Sequence, residues 1–250
     1  MSTWPQCALR YDGTFAGFLT CVGESFRQKT YPFYFLPPGA EQITLYPLQE
    51  IPSDPALARA VYRALETAVS PAFRRMMTYG FLTCLPQRER SLFDLIYLAF
   101  HHALPQDPTD DRILLLTRAI GHLVREAEHY RGFVRFADYG GVLVGQIAPK
   151  NRVLPLLRPH FCGRFPEENF MIYDAVHQAV LLQEDHKARL LELAAPLELP
   201  PPSEREQQFQ ALWKQFYQTL EIKARHNEKC RMTHCPKRFW ADMVEMKDEF

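Results

Sequence analysis

The feature that most constrains this chain is a change of hydrophobic period near Gly132. From Asp54 to Gly132, apolar residues recur three and four apart. They do so at Leu57, Val61, Leu65 and Ala68, and again at Ile113, Leu116, Ile120, Leu123, Ala127 and Tyr130. That spacing places them on one face of a helix. Ser53-Asp54-Pro55 is a helix start, Pro71 and Pro105 are stops, and Asp110 opens the last helix of the run. Beyond Gly132 the period becomes two. The segments "FVRFADY", "GGVLVGQIAP", "NFMIYDAVH" and "QAVLLQED" read as four strands.

Tyr139-Gly140-Gly141 turns the first strand pair and Ala175–Gln178 the second, while a helix from Asn151, kept short by Pro155 and Pro159, lies between the pairs. The order strand-strand-helix-strand-strand on an antiparallel sheet, packed by helices, predicts an α+β fold. Upstream, "CALRYDG" reads as a short strand. A turn at Asp12-Gly13-Thr14 feeds the helix "FAGFLTCVGESFRQ", and "ITLYPL" reads as a second short strand. Downstream, residues 196–203 form a proline-rich connector, and 204–250 form a C-terminal helix and basic segment. That helix carries Phe209, Leu212, Trp213, Phe216, Leu220 and Ile222 as an expected buried stripe. Residues 1–250 are expected to form a single domain.

Charge narrows the function classes. The chain has 29 basic and 29 acidic residues, so any attraction to anions must be local. The stretch "IKARHNEKCRMTHCPKRFW" concentrates Lys223, Arg225, Lys229, Arg231, Lys237 and Arg238 against one acid, Glu228, and ends in Phe239 and Trp240. Cations neutralise phosphates and aromatic rings stack on unpaired bases, so this composition points to nucleic acid. Lys223 and Arg225 also suit the negative end of a helix dipole.

Other patterns point less far. His122, Glu126 and His129 share a helix face, but Arg118 and Arg125 share it too, which disfavours a bound dication. Cys230, His234 and Cys235 lack the second pair of ligands that a structural zinc site needs. No metal and no cofactor is expected. The phosphate loop GxxxxGK[ST], the GxGxxG fingerprint and the GxSxG elbow are all missing. Asp12 suits a helix cap and could also serve as a general base. The six cysteines are scattered, no apolar run reaches bilayer length, and the N-terminus lacks a basic and apolar leader. A cytoplasmic protein with no membrane partner is expected.

Four segments, "YDGTFAGFLTCV", "REAEHYRGFVRF", "HFCGRFPEENFMIYDAVH" and "CPKRFW", occur in this order. Together they resemble a bacterial family of DNA-metabolism proteins built on a domain of unknown function. The resemblance covers nearly the whole chain. It implies a companion radical-SAM protein, and some related chains are joined to a uracil-DNA-glycosylase-like domain, of which no part is visible here. The matching positions are Tyr11, Asp12, Gly13 and Phe15, then His129, Gly132, Phe133, Arg135 and Phe136. His160, Phe161, Arg164, Phe165 and Asp174 follow, and then Arg225, Asn227, Pro236, Lys237, Arg238 and Trp240. Cys235 departs from the family's approach to Pro-Lys-Arg, so cysteine chemistry there is not general to the family.

The expected function is an accessory protein in DNA repair or modification that binds DNA and acts with a radical-SAM partner. Arg135, His160, Arg164, Arg225, Lys237, Arg238 and Trp240 are the expected nucleic-acid contacts, converging on one surface. Two alternatives stand beside it. One is an enzyme acting on a nucleotide or damaged base through Asp12, His129 or Asp174. The other is a protein-docking module that touches no DNA.

Overall fold

The computed structural model describes residues 3–105, 107, 109–220, 222 and 227–246. The chain divides into two compact units, Met1–His122 and Leu123–Phe250.

The first unit starts with β1 (Gln6–Arg10), whose three central residues are buried. The turn after it leads into α1 (Phe15–Gln28), where the Thr14 hydroxyl accepts from Gly17 N at 2.9 Å and caps the helix. Because α1 carries the chain back across the sheet, β2 (Tyr31–Leu36) pairs parallel with β1. β3 (Leu48–Glu50) pairs parallel on the other side, giving the order β2-β1-β3. The expected strand over residues 43–48 forms only at its end, and Ile43 and Leu45 stand exposed. Pro47 has no N–H to give, so pairing there begins with its carbonyl, which accepts from Ala8 N at 2.9 Å.

Four helices follow. α2 (Pro55–Thr67) is capped by Asp54 and α3 (Pro71–Phe81) by Ser70, each with proline in its first turn. α4 (Arg88–Phe100) precedes α5 (Asp111–Phe133), which runs through the boundary between the units. Phe18, Leu65, Met77, Leu92, Phe93 and Ile96 form the centre of the first unit's core. Beside them Tyr11 donates its hydroxyl to Glu89 Oε1 at 2.8 Å.

The second unit is built on the five-stranded sheet β4-β5-β6-β7-β8. β4 (Phe136–Asp138) and β5 (Val142–Ile147) form the expected hairpin, with Gly140 and Gly141 at φ +70° and +93°. α6 (Leu154–Arg164) then returns the chain to the same end of the sheet, so β6 (Asn169–Asp174) lies parallel to β5. The sheet is therefore mixed, where the sequence suggested a purely antiparallel one. The crossover helix between the two hairpins is the physical reason. β7 (Ala179–Glu184) pairs antiparallel with β6. A fifth strand, β8 (Lys187–Glu192), returns through a tight turn in which Asp185 and His186 both have positive φ.

α7 (Glu204–Leu220) forms as expected, but none of its residues is buried. Its apolar stripe is open, which corrects the expectation of a buried one. α8 (Glu228–His234) is capped by Asn227 and leads through Pro236 into a 3-10 turn, Lys237–Asp242.

Gly145 of β5 sits where the chain approaches closely. A Cβ there would lie 2.8 Å from Val134 Cγ1 and 3.3 Å from the Arg135 carbonyl. Gly145→Ala is expected to cost about 1–3 kcal/mol through this overpacking, read as a lowered urea midpoint with unchanged m-value.

Candidate functional site

The second unit is organised around Glu126. Its place on α5 follows from the apolar stripe of Leu123, Ala127 and Tyr130, into which the sequence sets one carboxylate. The side chain is 2% exposed, and a carboxylate so deep must be met by donors. It meets four. Oε1 accepts from Lys150 N and from Arg238 Nη1, each at 3.0 Å. Oε2 accepts from Asn151 N at 2.9 Å and from Asn151 Nδ2 at 2.6 Å. The four acceptor positions of the carboxylate are thereby filled. Nearby, Asp242 Oδ2 accepts from Ala148 N at 3.2 Å. Burial pushes the Tyr130 phenol up, with Asp242 and Glu126 adding to the shift.

His129 lies less than one turn further along. Its ring stacks on Phe133 at 5.6 Å and meets Phe239 edge-on at 5.2 Å. Nδ1 is enclosed and has no hydrogen-bond partner among the described residues. Burial lowers the His129 pKa, the Arg238 and Arg125 guanidinium groups lower it further, and Glu126 opposes them. The imidazole is held neutral, walled by aromatic rings and flanked by two cations.

The expected nucleic-acid contacts separate into distinct roles. Arg135 donates to Glu245 Oε1 from Nη2 at 2.6 Å and from Nε at 3.1 Å, and from Nη1 to the Gly132 carbonyl at 3.0 Å. Burial would raise the Glu245 carboxyl, but the bonds from Arg135 outweigh it and hold the pKa below its ordinary value. Trp240, expected to stack on a base, is 1% exposed. Its Nε1 donates to the Cys235 carbonyl at 2.9 Å, and the Arg231 guanidinium lies 4.7 Å from its ring. Arg135, Arg238 and Trp240 therefore hold the C-terminal segment onto α5. Lys237 is exposed, with Nζ 5.4 Å from the Trp240 ring. Arg225 lies outside the described residues.

His160 and Arg164 stand together on α6. The His160 pKa is lowered by burial, then by Arg131 and Arg164. Arg164 is exposed, 5.6 Å from the Phe165 ring. Two guanidinium pairs result, each around a histidine: Arg125 and Arg238 around His129 on one flank of α5, and Arg131 and Arg164 around His160 on the other. At roughly 100° per residue, His129 and Arg131 leave the helix about 160° apart. One converging surface was expected, and these two groups do not form one.

The acid–base candidates each serve a local turn or aromatic contact. Asp174 is 1% exposed and serves its turn, accepting from Val176 N, His177 N and His177 Nδ1 at 3.1, 3.0 and 2.7 Å. Asp12 belongs to the first unit, at the C-terminal end of β1. Oδ1 accepts from Thr14 N at 2.9 Å and Thr14 Oγ1 at 2.8 Å, and Oδ2 from Ser53 Oγ at 2.6 Å. Burial would raise this carboxyl, but the bonds from Ser53 and Thr14 bring it below its ordinary value. The pairing needs Gly17, where a Cβ would fall 2.1 Å from Asp12 Oδ1.

Among the described residues, no group of three His, Cys, Asp or Glu could hold a metal ion, and no helix is long and apolar enough to cross a membrane. Burial raises the Cys235 thiol, the opposite of activation. Glu126 was not legible as an anchor, Asn151 was read only as a helix start, and Asp242 and Glu245 carried no signal in the sequence. The available signal was a lone carboxylate inside an apolar helical stripe.

This is an α+β protein whose second unit is knit together by ion pairs on two buried carboxylates. The chain belongs to the DUF4130 family, a domain of unknown function, whose family model matches residues 86–245. The matched range holds Glu126, His129, Arg135 and Arg238, and Asp12 falls outside it. No curated protein and no solved structure matches the chain.

Two outcomes follow from this geometry. Arg238→Met strands the Glu126 carboxylate and is expected to cost about 2–3 kcal/mol. That is below the ~3–5 kcal/mol of a fully buried pair, because the Arg238 side chain is 42% exposed. Glu126→Gln/Arg238→Met should cost less than the two single changes together, a coupling read from urea denaturation.

The folded-state pKa values of His129 and His160 are both lowered, so the unfolded chain binds more protons below about pH 6.5. Stability is then full above that range and is lost as pH falls through it. Asp12 and Glu245, also lowered, add a further loss below about pH 4. His129→Phe should flatten the first stage in thermal melts and leave the second unchanged.

Proposed function

We propose that this chain is an accessory nucleic-acid-binding protein of DNA repair or modification that works beside a radical-SAM partner. The partner and the pathway rest on the resemblance of the four sequence segments. One observation supports the DNA contact: Arg164 and Lys237, both in those segments, stand exposed and pair with no carboxylate among the described residues. Arg125 on α5 and Arg158 on α6 are exposed and unpaired in the same way. Arg135 and Arg238 are occupied by Glu245 and Glu126, so phosphate contact falls to the unpaired cations.

A second reading, an enzyme acting on a nucleotide or damaged base, draws on the place of Asp12. It sits beyond the carboxyl end of β1, where the neighbours β2 and β3 lie on opposite sides of the strand. In open parallel sheets that point is where ligands bind.

Binding of single- and double-stranded oligonucleotides over a salt series tests the first reading. The expected outcome is affinity that falls steeply with salt. Arg164→Ala and Lys237→Ala should each reduce the slope by about one. Arg238→Ala is unsuitable for this purpose, since it disturbs the fold. Absence of binding at low salt would remove stand-alone DNA binding. Turnover of a damaged-base oligonucleotide that Asp12→Asn abolishes would favour the enzyme.

A further inference from the structure

The proline-rich connector between β8 and α7 is strapped across one face of the second sheet by two tyrosines. Tyr173 of β6 accepts from Leu197 N at 3.0 Å, and Tyr139 donates to the Pro200 carbonyl at 3.1 Å. Strap, sheet, α7 and the C-terminal 3-10 turn border a cavity of about 320 Å³. Its floor is Ala137 of β4 with Val144 and Gln146 of β5. Ala137 stands opposite Val144 in the register and Gln146 is two residues on, so the three side chains share one face. Pro200 and its neighbours form one wall, Gln210 a second, and Ala241 a third. Gln146, Pro200 and Ala241 are exposed, so the cavity opens to solvent.

The lining selects the chemistry of an occupant. Its two charged side chains are engaged within the protein. Arg135 gives Nε and Nη2 to Glu245 and Nη1 to the Gly132 carbonyl, and Asp242 Oδ2 accepts from Ala148 N. An anion therefore finds no unpaired cation here. The groups on offer are neutral. The Gln146 side-chain amide has no hydrogen-bond partner among the described residues. Gln210 donates from Nε2 to Glu206 at 2.9 Å and keeps its carbonyl oxygen available. An amide sets a donor beside an acceptor, the pattern that matches the edge of a nucleobase. The prolyl rings and Val144 supply apolar surface for the face of a flat ring. The volume is at the lower end of the roughly 300–1,000 Å³ of ligand sites, which suits one base with its sugar.

We propose that this cavity receives a single unpaired nucleobase, held on its edge by the Gln146 and Gln210 amides and packed against the prolines of the strap. The proposal rests on the nucleic-acid reading above and adds a base contact to its phosphate contacts. The two kinds of contact come from one short element. The 3-10 turn Lys237–Asp242 carries Lys237, an unpaired cation, at its start and Ala241 near its end. At about 2 Å per residue, the two are roughly 8 Å apart along the turn. A base that enters such a cavity must leave its stack, which costs least where it has no pairing partner.

Binding of the full chain to a DNA duplex carrying one bulged base, compared with the fully paired duplex, separates the base contact from the phosphate contacts. The expected result is that the bulged duplex binds roughly 5–100-fold tighter. Gln146→Leu, which removes the amide, and Ala241→Phe, which fills the cavity, should abolish that preference and leave the salt slope unchanged. Both sites are exposed, so circular dichroism and the thermal midpoint should be unchanged. Lys237→Ala should do the reverse, reducing the slope and keeping the preference. Equal binding of the two duplexes by the wild type would overturn the proposal and leave phosphate binding standing, as would a preference that survives both variants. If neither duplex binds, the nucleic-acid reading falls, and saturation-transfer NMR with free deoxyadenosine, deoxycytidine, deoxyguanosine and thymidine decides the cavity by itself. Transfer to the base protons of at least one nucleoside, lost in both variants, is expected. No transfer to any of the four, or equal transfer to deoxyribose alone, would overturn the proposal.

Discussion

The second unit depends on a carboxylate placed where water cannot reach it. A buried carboxylate is tolerated only with its lone pairs occupied, and those of Glu126 are occupied by distant parts of the chain. Lys150 and Asn151 belong to the segment between β5 and α6, and Arg238 to the turn that follows α8. One side chain thus fixes where the crossover into α6 begins and where the C-terminal segment lies against α5. Arg135 and Glu245 repeat the arrangement with the signs exchanged: the cation is on the α5 side and the carboxylate, 2% exposed, is on the C-terminal side. Two ion pairs of opposite sense set the alignment of the C-terminal segment more strictly than apolar contact alone could.

This shifts the meaning of the Pro-Lys-Arg-Phe-Trp segment. Phe239 and Trp240 are 1% exposed, and Arg238 reaches inward to Glu126. A run that reads as a cationic, aromatic tail is largely a clasp, with Lys237 as its outward-facing member. Composition cannot separate these roles, because the same side chains that stack on bases also fill cores.

Local signals were legible. α1 spans the residues that its periodicity marked, and Thr14 and Asp54 cap helices where turn and start signals stood, whereas Pro71, read as a stop, also opens α3 behind the Ser70 cap. The turn over residues 175–178 lies where expected. Direction across space was not legible. Nothing in the strands β5 and β6 states that α6 brings them parallel, and β2, with Pro32 inside an aromatic run, resembles no strand pattern until β1 is beside it. The α7 stripe shows the same limit. Its period fixed a helix with an apolar face, but the partner of that face is not a local property. At the site, the residue types were readable and their pairings were not. Glu126 and Arg238 are separated by more than a hundred residues, and only the folded chain puts them 3.0 Å apart.

The three tryptophans fall in three different settings, which makes the chain its own reporter. Trp4 lies in the first unit, edge-on to Phe26 and Tyr97 with ring centroids 5.4 and 5.1 Å away. Trp240 is sealed inside the second unit beneath a guanidinium group, and Trp213 stands 41% exposed on α7. Their emission is therefore set by unlike surroundings: an aromatic cluster, a charged core and a partly exposed helix face beside Arg135. A chain keeping only Trp4 would follow the opening of Met1–His122, and one keeping only Trp240 would follow Leu123–Phe250. Comparing the two traces would show whether the units melt as one body or in sequence.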